Sequence, residues 1–277
     1  MPYWTTDGTR MWYETYGAED GPLVLALHGF TGDHSIWEAL AASPLGRAVH
    51  LVTPDLYGHG WSDAPDDLER FRLASMAREL WALVDAVRPG AAPILLGYSM
   101  GGRLALDMAV ASPHRPAGLI LESASPGLQD EEARRARRAD DAAWAELIRR
   151  DGVEAFVDRW EALPLFESQA RLDAALQEQV RRDRLSQSVE GLARSLLGTG
   201  TGSQPSRWEA LPTLSLPVLL VVGALDVRYR DIGEKMAALM PAARLAVLED
   251  AGHAVHLEQP AAFLEVVGRF VEARSTL

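Results

Sequence analysis

Cysteine is absent from this 277-residue sequence. Its absence excludes a disulfide framework, a thiolate nucleophile and a metal site built on cysteine. Long apolar runs are also missing, and none approaches the ~20 residues that a helix needs to cross a bilayer. Positive charge is scarce, because 27 Lys and Arg residues stand against 39 Asp and Glu residues, for a net charge of -12. This acidity argues against nucleic acid or an anionic membrane as the partner of the whole chain.

The N-terminal segment MPYWTTDGTRMWYETYG lacks the basic start and the apolar stretch of a signal peptide. We therefore expect a soluble protein of the cytoplasm. Hydrophobic residues make up 48% of the chain, which is enough to bury a large core. An α/β chain of this length can form a single domain.

Six short, nearly continuous apolar runs are typical of strands that are buried on both faces of a parallel sheet. Helical patterns lie between several of the runs, as at Leu73, Met76, Leu80 and Val84. Alternating strands and helices predict an α/β fold with a mostly parallel central sheet and helices on both faces. The runs are LVLALHG, AVHLVT, PILLG, GLILE, PVLLVVG and RLAVLE.

Residues 125–211 interrupt this alternation, since they contain amphipathic helical patterns and no convincing strand. We predict that they form a helical cap, inserted into a core made of residues 1–124 and 212–277. Such a cap would lie over the carboxyl edge of the sheet, where open α/β sheets bind their ligands.

The motif GYSMG places Ser99 between a predicted strand and a predicted helix. A G-x-S-x-G motif alone is a weak signal, but strand, turn and helix in this order are what a nucleophile elbow requires. The helix N-terminus would stabilise negative charge that develops beside the serine. The alternative interpretation is a tight turn with an incidental serine.

A serine nucleophile needs a base, and the base needs a carboxylate that orients it. Asp226 follows the run PVLLVVG and His253 follows the run RLAVLE, so both are predicted at the same sheet edge as Ser99. His256 is the rival base, but it falls in or near the next helix, and we favour His253. The alternative for Asp226 is a simple turn residue.

Two backbone N–H groups are predicted to form an oxyanion site, one from Met100 and one from Phe30. His28 is interpreted as a hydrogen-bonded structural residue rather than a catalytic one. His59 is interpreted as structural rather than as a metal ligand, because no cluster of carboxylates and histidines with ligand spacing surrounds it. The segment GTGTG follows a helical pattern rather than a strand, which does not fit a nucleotide site. We therefore expect no metal and no cofactor.

Five motifs occur in order along the chain: LHGFTG, DLYGHGWSD, GYSMGG, GALD and AGHAVHLE. In this order they resemble the α/β-hydrolase superfamily across nearly the whole sequence. A more specific set comprises HGFTGDHSIW, GYSMGGR, ESASPGLQDEEARRARRADDAAW, FVDRW, RLSQSVEGLARSL and GTGTGSQP. This set is similar to the 2-succinyl-6-hydroxy-2,4-cyclohexadiene-1-carboxylate synthases of menaquinone and phylloquinone biosynthesis.

The resemblance implies an α/β-hydrolase fold with an inserted cap and a lyase that uses no cofactor. Its substrate would be 2-succinyl-5-enolpyruvyl-6-hydroxy-3-cyclohexene-1-carboxylate, a small anion with several carboxylates that loses pyruvate. The family's triad is matched by Ser99, Asp226 and His253. One departure from the family pattern is Tyr57, which stands where proline is usual. The implied pocket residues are Tyr98, Trp160 and the carboxylate-binding arginines Arg103, Arg137 and Arg184.

The arginine run in GLQDEEARRARRADDAAW has a simpler explanation for some of its members. Asp130 lies four residues before Arg134, in the favoured orientation for a helical ion pair. Arg137 has no acid three or four residues before it, and Asp141 behind it has the less favourable orientation. We predict that Arg137 faces the pocket with the other two implied arginines, whereas Arg134 and Arg135 lie on the surface.

Two other functions stay open on the sequence alone. A carboxylesterase or C–C bond hydrolase would use the same triad, but its pocket would be largely apolar. A small-molecule receptor would keep the triad without turnover and signal through its cap.

Overall fold

The sheet contains eight strands in a computed structural model that describes residues 3–112 and 115–275. The strands are β1 (Tyr3–Thr6), β2 (Thr9–Gly17), β3 (Leu23–Leu27), β4 (His50–Pro54), β5 (Ile94–Tyr98), β6 (Gly118–Glu122), β7 (Val218–Gly223) and β8 (Ala243–Leu248). Their order across the sheet is β1-β2-β4-β3-β5-β6-β7-β8. Pairing is antiparallel from β1 to β2 and from β2 to β4, and parallel at every other step. The predicted mostly parallel sheet is confirmed.

Ten α-helices surround the sheet within the described part of the chain. They are α1 (Glu38–Ala42), α2 (Pro44–Ala48), α3 (Leu73–Val87), α4 (Met100–Ala111), α5 (Glu131–Glu161), α6 (Ala174–Leu185), α7 (Val189–Thr199), α8 (Val227–Leu239), α9 (Val255–Glu258) and α10 (Pro260–Ser275). Short 3-10 helices lie at His34–Trp37, Leu68–Phe71, Pro164–Arg171 and Trp208–Thr213. None of the helices described has the length and apolarity to cross a membrane.

Alternate residues of the central strands face two separate apolar cores. Leu95 of β5 belongs to the core that includes Leu80 of α3 and Leu104 of α4. Its neighbour Leu96 belongs to the second core, which includes Phe263 of α10. Successive side chains of a strand point to opposite faces, so a continuous apolar run fits a sheet that is covered on both sides.

The segment between β6 and β7 contains helices α5, α6 and α7 and no strand. We call residues 125–211 the cap segment; its division from the rest of the chain as a separate unit stays a prediction. Helix α5 is interrupted at Gly152, where φ is 84°. A small third core joins α5 and α7 through Ile148, Phe156, Leu192 and Leu196. The cap segment therefore has apolar packing of its own.

Candidate active site

Ser99 lies at the turn between β5 and α4, with a φ of 50° and a ψ of -106°. A non-glycine residue at positive φ is strained, and such strain collects at functional sites. The turn is crowded, since a Cβ on Gly97 would lie 2.4 Å from the carbonyl oxygen of Gly101. A Cβ on Gly101 would lie 2.2 Å from the carbonyl oxygen of Leu27. The two glycines therefore allow the tight turn that presents the serine.

Asp226, His253 and Ser99 form a hydrogen-bonded chain across three strand ends. Nδ1 of His253 lies 2.7 Å from Oδ2 of Asp226, and Nε2 of His253 lies 3.0 Å from Oγ of Ser99. Because a carboxylate only accepts, Nδ1 carries the proton and Nε2 is free to accept from the serine hydroxyl. Asp226 is also fixed from the other side, since it accepts a hydrogen bond from the backbone N–H of Tyr229. The geometry is that of a serine–histidine–aspartate triad.

Glu258 holds the loop that carries His253. Its carboxylate accepts hydrogen bonds from the backbone N–H of Gly252 at 2.7 Å and of Ala254 at 3.1 Å. These are the two residues that flank the histidine. Glu258 therefore fixes the backbone on both sides of the candidate base.

The rival histidine, His256, is bonded to Glu122 rather than to Ser99. Its backbone N–H and its Nδ1 both donate to the buried carboxylate of Glu122, at 3.0 Å and 2.8 Å. Its ring packs against the edge of Tyr98, with centroids 4.7 Å apart. The structure thus places His253, and not His256, next to the serine.

The predicted oxyanion donors lie on either side of Ser99. Met100 begins α4 and Phe30 follows β3, and both line the cavity in front of the serine. Neither backbone N–H donates to another residue within the described ranges. His28 supports this loop, because its Nε2 accepts the N–H of Leu56 and its Nδ1 donates to the carbonyl of Gly29. His28 thus has a structural place beside the site.

A cavity of about 1470 Å³ opens in front of Ser99, between the sheet edge and the cap segment. Tyr98 forms part of its wall, and burial raises the pKa of Tyr98 well above the ordinary value. Trp160 lies among aromatic rings of the cap segment, with centroids 5.4 Å from Phe30 and 5.7 Å from Phe166. Aromatic rings therefore form part of the wall near the candidate triad.

Arg103 is a buried cation in this wall. Its Nη1 donates to the carbonyl of Thr199 at 2.6 Å and to Oε1 of Gln204 at 3.2 Å. Burial lowers the pKa of Arg103 to about 10, and the neighbouring charge of Arg137 also lowers it. A guanidinium with this pKa stays protonated at neutral pH, so the cavity retains a positive charge.

Arg137 and Arg184 line the same cavity as Arg103, as predicted from the family motifs. Nε of Arg137 donates to Asp141 at 2.7 Å, so the expectation that Asp141 is poorly oriented for pairing is wrong. The side chain of Arg184 donates to Glu161 and to Gln169, both at 3.0 Å. The roles of the three arginines in binding a ligand stay predictions.

The prediction that Arg134 and Arg135 lie on the surface holds for Arg135 only. Arg134 is half-buried, with 23% of its side chain exposed, and its predicted partner is also wrong. Arg134 pairs with Glu131, whereas Asp130 caps the helix by accepting from the N–H of Ala133. An aspartate at this position satisfies a helix N–H that has no partner within the helix. Arg135 reaches Glu132 only at 3.9 Å, and 71% of its side chain is exposed.

Comparison with known proteins places this chain in a family. Residues 22–260 match the alpha/beta hydrolase fold. A Bacillus subtilis (strain 168) protein with the provisional name 2-succinyl-6-hydroxy-2,4-cyclohexadiene-1-carboxylate synthase is 39% identical over 266 residues, covering 96% of each chain. The chain belongs to the α/β-hydrolase fold family and, within it, to the family of this relative.

Two further relatives support the assignment. The 2-succinyl-6-hydroxy-2,4-cyclohexadiene-1-carboxylate synthase of Salmonella paratyphi C (strain RKS4594) is 32% identical, over 92% of this chain and 96% of the relative. A solved structure of MenH from S. aureus is 34% identical and has a TM-score of 0.88, over 95% of this chain and 98% of that one. The resemblance predicted from the motifs is confirmed.

Among the described residues, one group of side chains lies close enough together to hold a metal ion: Asp33, His34 and Asp55. The carboxylate oxygens of Asp33 and Asp55 already accept hydrogen bonds within the protein. Oδ1 of Asp55 accepts from the backbone N–H and Nδ1 of His34, and Oδ2 accepts from the N–H of Trp61. These bonds join the loop that follows β3 to the loop that follows β4. The expectation of no metal stays a prediction.

Several contacts of this site are not predicted from the sequence. Tyr229 packs against the ring of His253 with centroids 4.6 Å apart, and Gln204 bonds Arg103 from a distant loop. Phe166 lies under the guanidinium of Arg184 at 4.9 Å. One signal was available for Tyr229, since it falls three residues after Asp226 at a helix start. Gln204 lies within the family motif GTGTGSQP, which gave a signal for the loop but not for its contact with Arg103, and Phe166 offered no comparable pattern.

Proposed function

We propose that this protein is a lyase that eliminates pyruvate from 2-succinyl-5-enolpyruvyl-6-hydroxy-3-cyclohexene-1-carboxylate. The product is 2-succinyl-6-hydroxy-2,4-cyclohexadiene-1-carboxylate. One observation carries the proposal: the hydroxyl of Ser99 and the guanidinium groups of Arg103, Arg137 and Arg184 border a single cavity. The names of the relatives support the same reaction. Its proposed setting is the cytoplasm.

The names of substrate and product define the bonds that change. A 3-ene becomes a 2,4-diene, so a proton leaves ring carbon 2 and the double bond between carbons 3 and 4 moves to carbons 4 and 5. A new double bond forms between carbons 2 and 3, and the bond from carbon 5 to the enolpyruvyl oxygen breaks. The departing enolpyruvate takes up a proton and becomes pyruvate.

The candidate triad is suited to the first of these steps. In our proposal the proton of carbon 2 passes through Oγ of Ser99 to Nε2 of His253, and Asp226 stabilises the imidazolium that results. Carbon 2 lies next to the ketone of the succinyl group, so negative charge spreads onto the ketone oxygen. The N–H groups of Phe30 and Met100 would stabilise that oxygen.

The arginines suit the substrate's carboxylates. Guanidinium groups donate charge-assisted and often bidentate hydrogen bonds to carboxylates, which fixes a ligand in one orientation. A hydrolase of neutral esters has no need for three arginines around its cavity. The proposal therefore favours an anionic substrate with more than one carboxylate.

A direct assay tests the proposal. Purified protein is mixed with the cyclohexene precursor, and pyruvate is followed through its reduction by lactate dehydrogenase and NADH. We expect saturable pyruvate release, which Ser99→Ala lowers by about 10²–10⁴-fold because the proton acceptor loses its relay. The neutral ester p-nitrophenyl acetate serves as the comparison substrate.

Two results would reject the lyase assignment. Pyruvate release no faster than in buffer, together with rapid cleavage of the neutral ester, would make the protein a carboxylesterase. Ligand binding without turnover of either substrate would favour a receptor.

A further inference from the structure

Asp141 is a buried carboxylate beside the cationic wall of the cavity. Only 2% of its side chain is exposed, and its Oδ1 accepts a hydrogen bond from Nε of Arg137 at 2.7 Å. Asp141 also acts on Arg103: burial lowers the pKa of that arginine, whereas the charge of Asp141 raises it. One acid therefore lies within electrostatic reach of two arginines.

The second oxygen of Asp141 is buried and has no hydrogen-bond partner within the described residues. It lies against the backbone of Gly200, where an added Cβ would be 2.3 Å from Oδ2. A buried acceptor without a donor destabilises the folded state. Simple ion pairing on a helix does not require such a position, since the neighbouring arginines of α5 pair with acids on the surface.

Arg103, Arg137 and Asp141 form a group of three charged side chains at the wall of the cavity. Arg103 and Arg137 contribute two positive charges and Asp141 contributes one negative charge, which leaves a single net positive charge. The Nη1 and Nη2 groups of Arg137 donate to no residue in the described ranges, so they are open to a ligand. A ligand group bound here would meet the net charge of all three side chains.

We propose that Asp141 sets the charge of an anion subsite formed by Arg103 and Arg137, and so selects a singly charged carboxylate over a doubly charged phosphate group. The inference rests on the proposed function in one respect, which is that these two arginines hold a ligand carboxylate. Asp141 is a positioning residue that acts through Arg137 and does not touch the ligand.

A matched pair of small anions tests the charge assignment. Benzoate carries one negative charge, and phenyl phosphate carries two near pH 8, because a phosphate ester loses its second proton at about pH 6. Their dissociation constants are measured by calorimetry for the wild type and for Asp141→Asn, which keeps the shape of the side chain. Asp141→Ser removes the same charge with a smaller side chain and guards against misfolding of the first variant.

Removal of the negative charge of Asp141 raises the net charge of the subsite by one unit. The added attraction is twice as large for phenyl phosphate, which carries two charges, as for benzoate, which carries one. We expect benzoate to bind about fivefold tighter and phenyl phosphate about twenty-five-fold tighter, so that the second factor is close to the square of the first. Loss of a structural support would weaken both ligands alike. Glu146→Gln is the control, since Glu146 is an exposed acid of the same helix, and it should leave both constants unchanged.

Several results would overturn the proposal. They are equal changes for the two anions, weaker binding of both, no change in the two Asp141 variants, or the same change in Glu146→Gln. Failure of the wild type to bind either anion would also overturn it. The test measures binding and needs no turnover. If the protein releases no pyruvate, but the change for phenyl phosphate is still close to the square of the change for benzoate, the proposed function is rejected and the role of Asp141 is supported.

Discussion

Arg135 and Arg137 are two residues apart on α5 and differ in their surroundings. The side chain of Arg135 is 71% exposed, whereas that of Arg137 is 35% exposed, borders the cavity and has a buried partner. We predict that Arg137→Gln lowers kcat/KM for the anionic substrate by about one to two decades. This corresponds to the ~1.5–3 kcal/mol of a charge-assisted hydrogen bond. Steady-state kinetics of pyruvate release measure the change.

The matched control is Arg135→Gln, which removes the same charge from the same helix. It should leave kcat/KM within about twofold, because exposed ion pairs contribute little. Hydrolysis of the neutral ester should be spared in both variants. Equal losses in the two variants would mean that α5 acts through its overall charge, and the arginine would then have no specific role in the cavity.

At the scale of elements, the elbow between β5 and α4 depends on the absence of a side chain at Gly101. A Cβ there would lie 2.2 Å from the carbonyl oxygen of Leu27, which belongs to the neighbouring strand and cannot move aside. We predict that Gly101→Ala lowers the free energy of unfolding by about 3 kcal/mol or more. Urea-induced unfolding, followed by circular dichroism, measures the loss.

Gly268 in α10 provides the opposite case. A Cβ at this position has its nearest neighbour at 3.9 Å, an ordinary contact with Leu45. Alanine restricts the unfolded chain more than glycine does, so Gly268→Ala should stabilise the protein by about 0.5–1 kcal/mol. If the two alanine variants lost similar stability, the close approach at the elbow would not be the cause.

The order of strands and helices could be predicted from the sequence because each core strand is a continuous apolar run. The positions of the candidate triad could be predicted for the same reason, since Ser99, Asp226 and His253 each follow such a run. The two N-terminal strands were missed. Residues 9–17 mix polar and apolar side chains, because β2 is half covered and pairs with β1 through a local antiparallel contact.

The contacts of the cap segment could not be predicted, and the reason is physical. For Arg137, a rule for exposed helices ranks Asp141, four residues later, as the less favourable partner. Burial overrides this preference, because a buried carboxylate needs a donor whether the donor comes before or after it along the helix. The contact from Gln204 to Arg103 joins residues that only the folded chain brings together.

At the scale of the whole molecule, buried histidines couple stability to pH. His59 packs against Phe30, and 1% of its surface is exposed. Its Nε2 has no hydrogen-bond partner in the described part of the chain. Burial lowers the pKa of His59 to about 3, and the nearby His28 also lowers it. Burial opposes charge on His34 as well, but there the hydrogen bond and charge of Asp55 prevail and raise the pKa.

The two histidines therefore predict opposite effects of acid. An unfolded histidine takes up a proton near pH 6.5, whereas folded His59 does so only near its pKa of about 3. The stability that neutral His59 contributes is therefore present above pH 6.5 and is lost as the pH falls. Between about pH 7.5 and about pH 5 this loss is about 2 kcal/mol, and His59→Gln should remove it.

His34 has the higher pKa when folded, so the stability that it contributes is present in acid and lost as the pH rises. His34→Gln should therefore make the acid loss larger. Urea unfolding of the three proteins at both pH values measures the differences, and a His59→Gln variant as acid-sensitive as the wild type would contradict the burial of a neutral imidazole.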